Sequence, residues 1–373
     1  MQRAPRRATT TSRGPAVFAI ALASFAGVTC APPPELDLPP ALPGAPPMPG
    51  PAPRERSFHA VDVNTRCEHC HTEIAAEWRA SFHRMAHSDP TYLAQFEKEP
   101  LAFCTGCHAP EADPATAAPP DAADMGVGCV TCHIVGDQIL AAPASNETTP
   151  PHPLTRTNAF ASPAACAGCH EFSFPASVHD KTPLLMQSTM SEHTSSAHAE
   201  ASCASCHMPV VTGRDGRAHK SHGFASSRDP AGLREAVVVE RHIADDGALE
   251  ITLRPGRVGH AFPTGDLLRR LRLSFEVRDA QKTIVERRER IFQRRFGFTN
   301  KPFKPPRRIL AGDDRVGLGG ASVEARFLPR VRPAGGAIHY TLHYDRVADP
   351  TGGEDGQPLV EGSVLLAEGE VEL

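Results

Sequence analysis

The sequence predicts a multidomain chain of the α plus β class. An irregular, mainly α-helical region comes first, and an antiparallel, β-sandwich-like domain follows. Three observations predict this. Ten of the eleven cysteines sit in five C-x-x-C pairs, and a histidine follows every pair at once. From about Glu235 the pattern turns to β-branched and alternating stretches of period two. Charge divides at the same place: residues 31–235 carry 13 Lys+Arg against 23 Asp+Glu, and residues 236–373 carry 22 against 20. A chain of 373 residues is long enough for both parts.

Residues 1–30 read as an export signal. Arg3, Arg6, Arg7 and Arg13 make a basic start, and "PAVFAIALASFAGV" is an apolar run too short to span a bilayer comfortably. The run closes on "AGVTC", which makes Cys30 a lipidation candidate of the bacterial lipoprotein kind; the competing reading is cleavage near Ala26 with Cys30 incidental. Both readings put the mature chain outside the cytoplasm, in the periplasm or at the outer membrane. Residues 31–54 follow as a tether. Eleven prolines between Ala31 and Pro53, with almost no charge, cannot bury a core. Fully extended, such a stretch spans on the order of 70 Å at about 3 Å per residue.

Residues 55–234 hold all five motifs. The segment is rich in Ala, Pro, Ser and His, and stretches such as "APEADPATAAPPDAAD" have loop character. It lacks the apolar periodicity of a self-sufficient core, so something other than side chains must fill its interior.

The motifs supply that filling. Cys67 and Cys70 precede His71; Cys104 and Cys107 precede His108; Cys129 and Cys132 precede His133; Cys166 and Cys169 precede His170; Cys203 and Cys206 precede His207. C-x-x-C-H is the attachment motif of c-type haem. Two thiols at this spacing reach the two vinyl groups on one porphyrin edge, and the adjacent histidine stands under the iron. Zinc, disulfide and thioredoxin-like chemistry use paired cysteines too, but none requires histidine after every pair. The expectation is five covalent c-type haems wrapped by about 180 residues. Irons packed so closely lie within electron-tunnelling reach, which makes a wire the default function.

The opposite face of each iron needs its own ligand. His83 ends the phrase "EWRASFH" (77–83), which recurs as "EHTSSAH" (192–198), pairing Glu77 with Glu192, Ser81 with Ser196 and His83 with His198. Residues 72–87 read as one helix with Ile74, Trp78, Phe82 and Met85 on one stripe. Twelve helical residues cover about 18 Å, so His83 is expected to serve a haem other than that of its own motif. The distal candidates are therefore His83, His152, His198, His222 and His260, with His59, His179, His193 and His219 in reserve and His87 closer to a surface residue. Two imidazoles on one iron leave no open position, which suits transfer rather than catalysis.

"CEHCHTEIAAEWRASFHRMAH", "FCTGCHAP", "GVGCVTCHIV" and "CASCHMP" resemble the cytochrome c-554/c-prime family of exported multihaem cytochromes, over roughly residues 60–235. The family's Trp, Ser and ligand His after the first motif correspond to Trp78, Ser81 and His83. The resemblance implies electron shuttling through mostly bis-histidine haems, with one less saturated haem in some members. The founding type has four haems, so the fifth motif here leaves haem order and ligand pairing open. "SHGFASSRDP" after "CHMP" resembles a histidine-bearing segment of other multihaem cytochromes, which implies a ligand role for His222. "GHAFPTGD" resembles a loop in β domains appended to such proteins. The related pentahaem nitrite reductase carries a C-x-x-C-K, and this sequence has none.

Residues 235–373 read as the sandwich. "AVVVE", "ALEITL", "LRLSFEV" and "AIHYTLHYDRV" suggest five to eight short strands, and "ADDGA" (244–248) suggests a hairpin turn. In the last stretch Ile338, Tyr340, Leu342 and Tyr344 share one face while His339 and His343 share the other. Residues 269–308 hold 14 basic and 4 acidic side chains. They suit haem propionates, the acidic first region or an acidic redox partner, or they are solvated strand faces. Taken together, the sequence reads as an electron-transfer protein more than an enzyme. Its expected partners are periplasmic or membrane redox proteins, with attachment to a membrane by an N-terminal lipid and no nucleic acid. A reductase of small nitrogen or sulfur oxyanions at a five-coordinate haem is the second reading. A docking role for the β domain in a larger complex is the third.

Overall fold

A computed structural model describes residues 58–143, 151–175, 184–299 and 306–373. The export signal, Cys30, the proline-rich tether and His179 lie outside them. All the described residues belong to one compact unit, residues 38–373.

The first region is built from short helices. They are α1 (Ala60–Cys70), α2 (Thr72–Arg79), α3 (Pro90–Phe96), α4 (Ala102–His108), α5 (Pro120–Met125), α6 (Cys129–His133), α7 (Ala164–His170), α8 (Thr189–Thr194), α9 (Cys203–His207) and α10 (Pro230–Glu235). Each C-x-x-C-H occupies a helix end: α1 closes on Cys70 just before His71, and α4, α6, α7 and α9 close on their motif histidines. The helical turn puts the two cysteines, three apart, on one face. Three small sheets join the helices. β1 (Ile134–Val135) pairs with β2 (Gln138–Ala141), which runs parallel to β3 (Thr155–Arg156). β4 (Glu171–Ser173) pairs with β5 (Leu185–Ser188), and β6 (Val210–Thr212) pairs with β7 (Ala218–Lys220). The apolar core here is small and gathers around Trp78, Met125, Val130 and Ile134.

The helix expected over residues 72–87 is shorter. α2 ends at Arg79, and tight turns carry the chain through His87. Two contacts explain the break. The Ser81 hydroxyl accepts the Arg84 N–H at 3.4 Å, and the His83 carbonyl accepts the Val127 N–H at 2.8 Å, so helical acceptors are spent elsewhere.

After α10 the chain turns to strands: β8 (Val237–Ile243), β9 (Leu249–Pro255), β10 (Arg269–Arg278), β11 (Ile284–Phe292), β12 (Arg294–Phe298), β13 (Arg308–Asp313), β14 (Val323–Phe327), β15 (Ala337–Asp349) and β16 (Leu359–Glu372). They form a four-stranded sheet in the order β11-β10-β15-β16, a three-stranded sheet β14-β9-β8, and the hairpin β12-β13. The two larger sheets are antiparallel and share one core. Leu249, Ile251 and Leu253 meet Leu271, Leu273, Val277, Ile338 and Leu342, none more than 1% exposed. Burying each such side chain stabilises the fold by about 1.5–3 kcal/mol. The fold is thus a helical region followed by an antiparallel sandwich. The nine strands found among the described residues of this part exceed the five to eight expected, because the arginine-rich β12-β13 hairpin shows no clean period. The "ADDGA" turn closes β8 onto β9, with Gly247 at φ +79°, the left-handed region that glycine enters without strain.

Candidate functional site

An iron held by two imidazole nitrogens at about 2 Å each puts the two ring centroids about 6 Å apart. Four motif histidines meet a ring outside the motifs at this spacing. His71 faces His152 at 6.3 Å, His83 faces His170 at 6.2 Å, His133 faces His222 at 6.2 Å, and His207 faces His260 at 6.2 Å. His83 lies opposite the fourth motif and not its own. His260, in the β part of the chain, lies opposite the fifth.

The tautomers agree with this use. A neutral imidazole that donates Nδ1–H to a carbonyl keeps a lone pair on Nε2 for a metal. The Nδ1 atoms of His108, His133 and His207 lie 2.5, 2.8 and 2.7 Å from the carbonyl oxygens of Ala86, Leu140 and Ala225. Those of His222 and His260 lie 2.8 and 2.9 Å from the carbonyls of Lys220 and Ala261. That of His152 lies 3.3 Å from the Pro153 carbonyl. Burial first, and then the neighbouring histidines, push His83 down to about 3 and His170 down to about 4. Both are neutral imidazoles at ordinary pH. His170 is exposed as a residue, yet enough protein surrounds its imidazole to disfavour the charged form.

The residues present therefore fit c-type haem. A bare metal ion is a poorer fit: among the described residues no three His, Cys, Asp or Glu side chains converge as such a site requires.

Two expected ligand positions differ from the rest. His198 is exposed, and among the described residues its ring meets no motif histidine. His108 has no opposed imidazole among the described residues. Tyr92 instead lies flat against its ring at 3.9 Å and 11°. Of the reserve histidines, His193 directs its two nitrogens at the carbonyls of Gly259 and Ala201, at 2.7 and 2.9 Å. The Nε2 of His219 lies 3.0 Å from Glu77. Both nitrogens of His193 and the Nε2 of His219 are thus engaged in hydrogen bonds. His87 is buried beside Tyr92 and Phe96, where a surface position was expected.

The elements that carry these rings are tied together. The Phe224 ring lies 4.2 Å from His83 and 5.8 Å from His222, so it joins two of the pairs. Trp78 is 5% exposed and donates Nε1–H to the Val127 carbonyl at 2.8 Å, a packing role. The arginine-rich stretch is used largely within the sandwich. Arg270 and Arg272 pair with Asp345, Arg278 and Arg287 with Glu276, and Arg290 and Arg295 with Asp314. Arg294 crosses to the first region and donates to the carbonyls of Leu185 and Met186 at 2.7 and 2.9 Å.

Sequence reasoning missed the acidic residues that hold ligand-bearing segments. The Glu77 carboxylate accepts from the His222 backbone N–H at 2.8 Å. Glu192, 5% exposed, accepts from Arg315 at 2.7 Å and from the Thr264 hydroxyl at 2.6 Å. The signal was present, because both glutamates open the repeated phrase.

The family model described as cytochrome c554 and c-prime matches residues 66–134, the first three motifs. The structure is similar to a penta-heme cytochrome c552 from Thermochromatium tepidum, at 18% sequence identity and a TM-score of 0.61, over 82% of this chain and 97% of that one. No curated protein matches the chain. The structural likeness shows the fold, and the family match over the first three motifs supports c-type haem in the first region.

Proposed function

We propose that the chain is an exported multihaem cytochrome that carries electrons between redox partner proteins through five covalently held haems. When bound, each haem supplies an iron that takes up and returns a single electron. The observation that carries this reading is the set of four opposed histidine pairs at 6.2–6.3 Å. In this reading His152, His83, His222 and His260 are the distal ligands opposite His71, His170, His133 and His207. Two protein ligands on an iron leave no coordination position for a substrate. The carbonyl-bound Nδ1 atoms fix ring orientation, so the site needs little rearrangement when charge changes. Export and partner docking at a periplasmic or outer-membrane surface, with Cys30 as the lipid anchor, complete the proposal. Mass spectrometry of the mature N-terminus tests the anchor: an unmodified start at another residue removes it.

Electron paramagnetic resonance of the oxidised holoprotein tests the wire. Four low-spin bis-histidine signals and no turnover of nitrite or hydroxylamine are expected. Two or more high-spin haems in the untreated protein would overturn the ligand pairing.

His108 favours a second reading. With Tyr92 flat against its ring and no opposed imidazole among the described residues, its haem is the one position, as far as the described residues go, where a small oxyanion could bind. Turnover of nitrite or hydroxylamine, abolished by azide binding at a single high-spin haem, would make the protein a reductase.

A further inference from the structure

The phrase that occurs twice, E-x-x-x-S-x-H, is not used alike at its histidines. His83 meets a motif ring at 6.2 Å, whereas His198 is exposed. Its glutamates are used alike. Glu77 in α2 reaches 142 and 145 residues along the chain, to His219 Nε2 at 3.0 Å and to the His222 N–H at 2.8 Å. One turn earlier, Glu73 accepts the Arg214 N–H at 2.8 Å, in the turn of the β6-β7 hairpin that leads to His222. Glu192 in α8 reaches the 259–266 loop in the same way. It accepts from the Thr264 hydroxyl at 2.6 Å and from Arg315 at 2.7 Å, and Arg315 also donates to the Pro263 carbonyl at 3.0 Å. His193, the next residue of α8, sits 2.7 Å from the Gly259 carbonyl. His260 is therefore clamped on both sides by one short helix of the first region.

The Glu192–Arg315 pair has a cost. Both side chains are only 3% exposed. Burying two charges is weak as a source of stability, and such a pair serves better to fix one arrangement. Ser188, the residue before α8, donates its hydroxyl to Glu192 at 2.7 Å, and the pair's other hydrogen-bond partners, at Pro263, Thr264 and Asp313, are in the β part of the chain.

We propose that the glutamate of the repeated phrase is a positioning residue for a distal ligand: Glu77 aims His222 at the third-motif iron, and Glu192, with Arg315, aims His260 at the fifth-motif iron. Docking of the sandwich and completion of the fifth site are then one event. The inference rests on the ligand pairing proposed above.

The test uses full-length holoprotein with Glu77→Ala and Glu192→Ala, read by electron paramagnetic resonance and by haem redox titration. Covalent attachment through the cysteines is untouched, so haem content per chain should stay as in the parent. Glu192→Ala is expected to turn one haem partly high-spin and shift its potential alone. Glu77→Ala should do so at a different haem. Should Glu192→Ala fail to fold, Thr264→Val, which deletes one hydrogen bond to Glu192, should still shift the same single potential. His260→Ala separates the two ideas. If it leaves every haem as it was, the ligand pairing fails. If it turns one haem high-spin while Glu192→Ala and Thr264→Val leave spectra and potentials unchanged, the pairing stands and the positioning role is overturned. Change at all haems alike in Thr264→Val, or in a glutamate variant that folds, would also overturn it, because it would mark a general structural defect.

Discussion

His152 and His198 are both outside the motifs, both flanked by small or proline residues, and both plausible ligands from spacing alone. The structure separates them. His152 turns its ring toward His71 at 6.3 Å and holds its Nδ1 near the Pro153 carbonyl, whereas His198 lies exposed. Replacing His152 with alanine should therefore convert one haem from low to high spin, and added imidazole should restore it. His198→Ala should leave the spectrum unchanged. A spectral loss on His198→Ala with none on His152→Ala would refute the pairing. Spacing along the chain offered both residues equally, because ligand choice depends on which loops the fold returns to each motif. The role of Tyr92 was hidden for the same reason. Its position against His108 is a tertiary contact, with no local pattern to announce it.

At the scale of elements, α2 and the 126–127 segment act as one clamp around His83. Trp78 donates to the Val127 carbonyl at 2.8 Å, and Val127 donates to the His83 carbonyl at 2.8 Å. Gly126 sits at φ +59°, and a Cβ there would lie 2.5 Å from the His83 carbonyl oxygen. Gly126→Ala should thus displace the turn that carries His83 as well as strain the backbone. With ψ at −128° this is a region that only glycine enters readily, so the strain alone costs on the order of 1–3 kcal/mol, and the His83–His170 haem of the proposed pairing should change potential, measured by redox titration beside a chemical denaturation curve. Trp78→Phe keeps the ring buried but leaves the Val127 carbonyl unpaired, at a cost of about 1–3 kcal/mol in the same denaturation experiment. An unchanged midpoint for either variant would argue against the clamp. The apolar stripe Ile74–Trp78–Phe82–Met85 gave the start of α2 correctly, but the helix expected from it ran eight residues past Arg79, to residue 87. The stop signal was Ser81, a side chain that competes for backbone N–H groups, and the distant Gly126–Val127 segment, which no local window contains. The sandwich strands were far more legible, since alternation over β10 and β15 states directly which face is buried.

Across the whole molecule the two regions are stabilised by different means. The sandwich has a continuous apolar core, while the first region has only the small cluster around Trp78, which the haems of the proposed reading would complete. The sandwich also holds a buried charge centre. Asp345 has no exposed side-chain surface and takes Arg270 at 3.2 Å, Arg272 at 2.8 Å and Ser363 at 2.8 Å. Burial alone would raise its pKa, but the hydrogen bonds from Arg272 and Ser363 and the nearby arginine charges outweigh it and hold the carboxyl below its ordinary value. A carboxyl lowered in this way contributes stability that is full above its unfolded pKa of about 4 and is lost as pH falls through the folded value. The stability that Asp345 contributes should accordingly be constant above about pH 5 and lost below about 4, whereas His343, whose burial holds its pKa below the ordinary value, disfavours the fold as pH falls through about 6.5. Asp345→Asn should remove that share of the acid dependence, leaving that of other lowered carboxyls such as Glu276 and Glu361, and should cost about 3 kcal/mol at neutral pH, because Arg270 loses its carboxylate partner and Arg272 is left with Glu289 at 3.7 Å. Because His260 hangs from this sandwich, acid melting followed by circular dichroism should be accompanied by the loss of one low-spin haem, with the other bis-histidine haems retained until lower pH. Simultaneous loss of every low-spin signal would show that the first region does not hold its haems independently, and an acid limb unchanged in Asp345→Asn would place the sensitive group elsewhere.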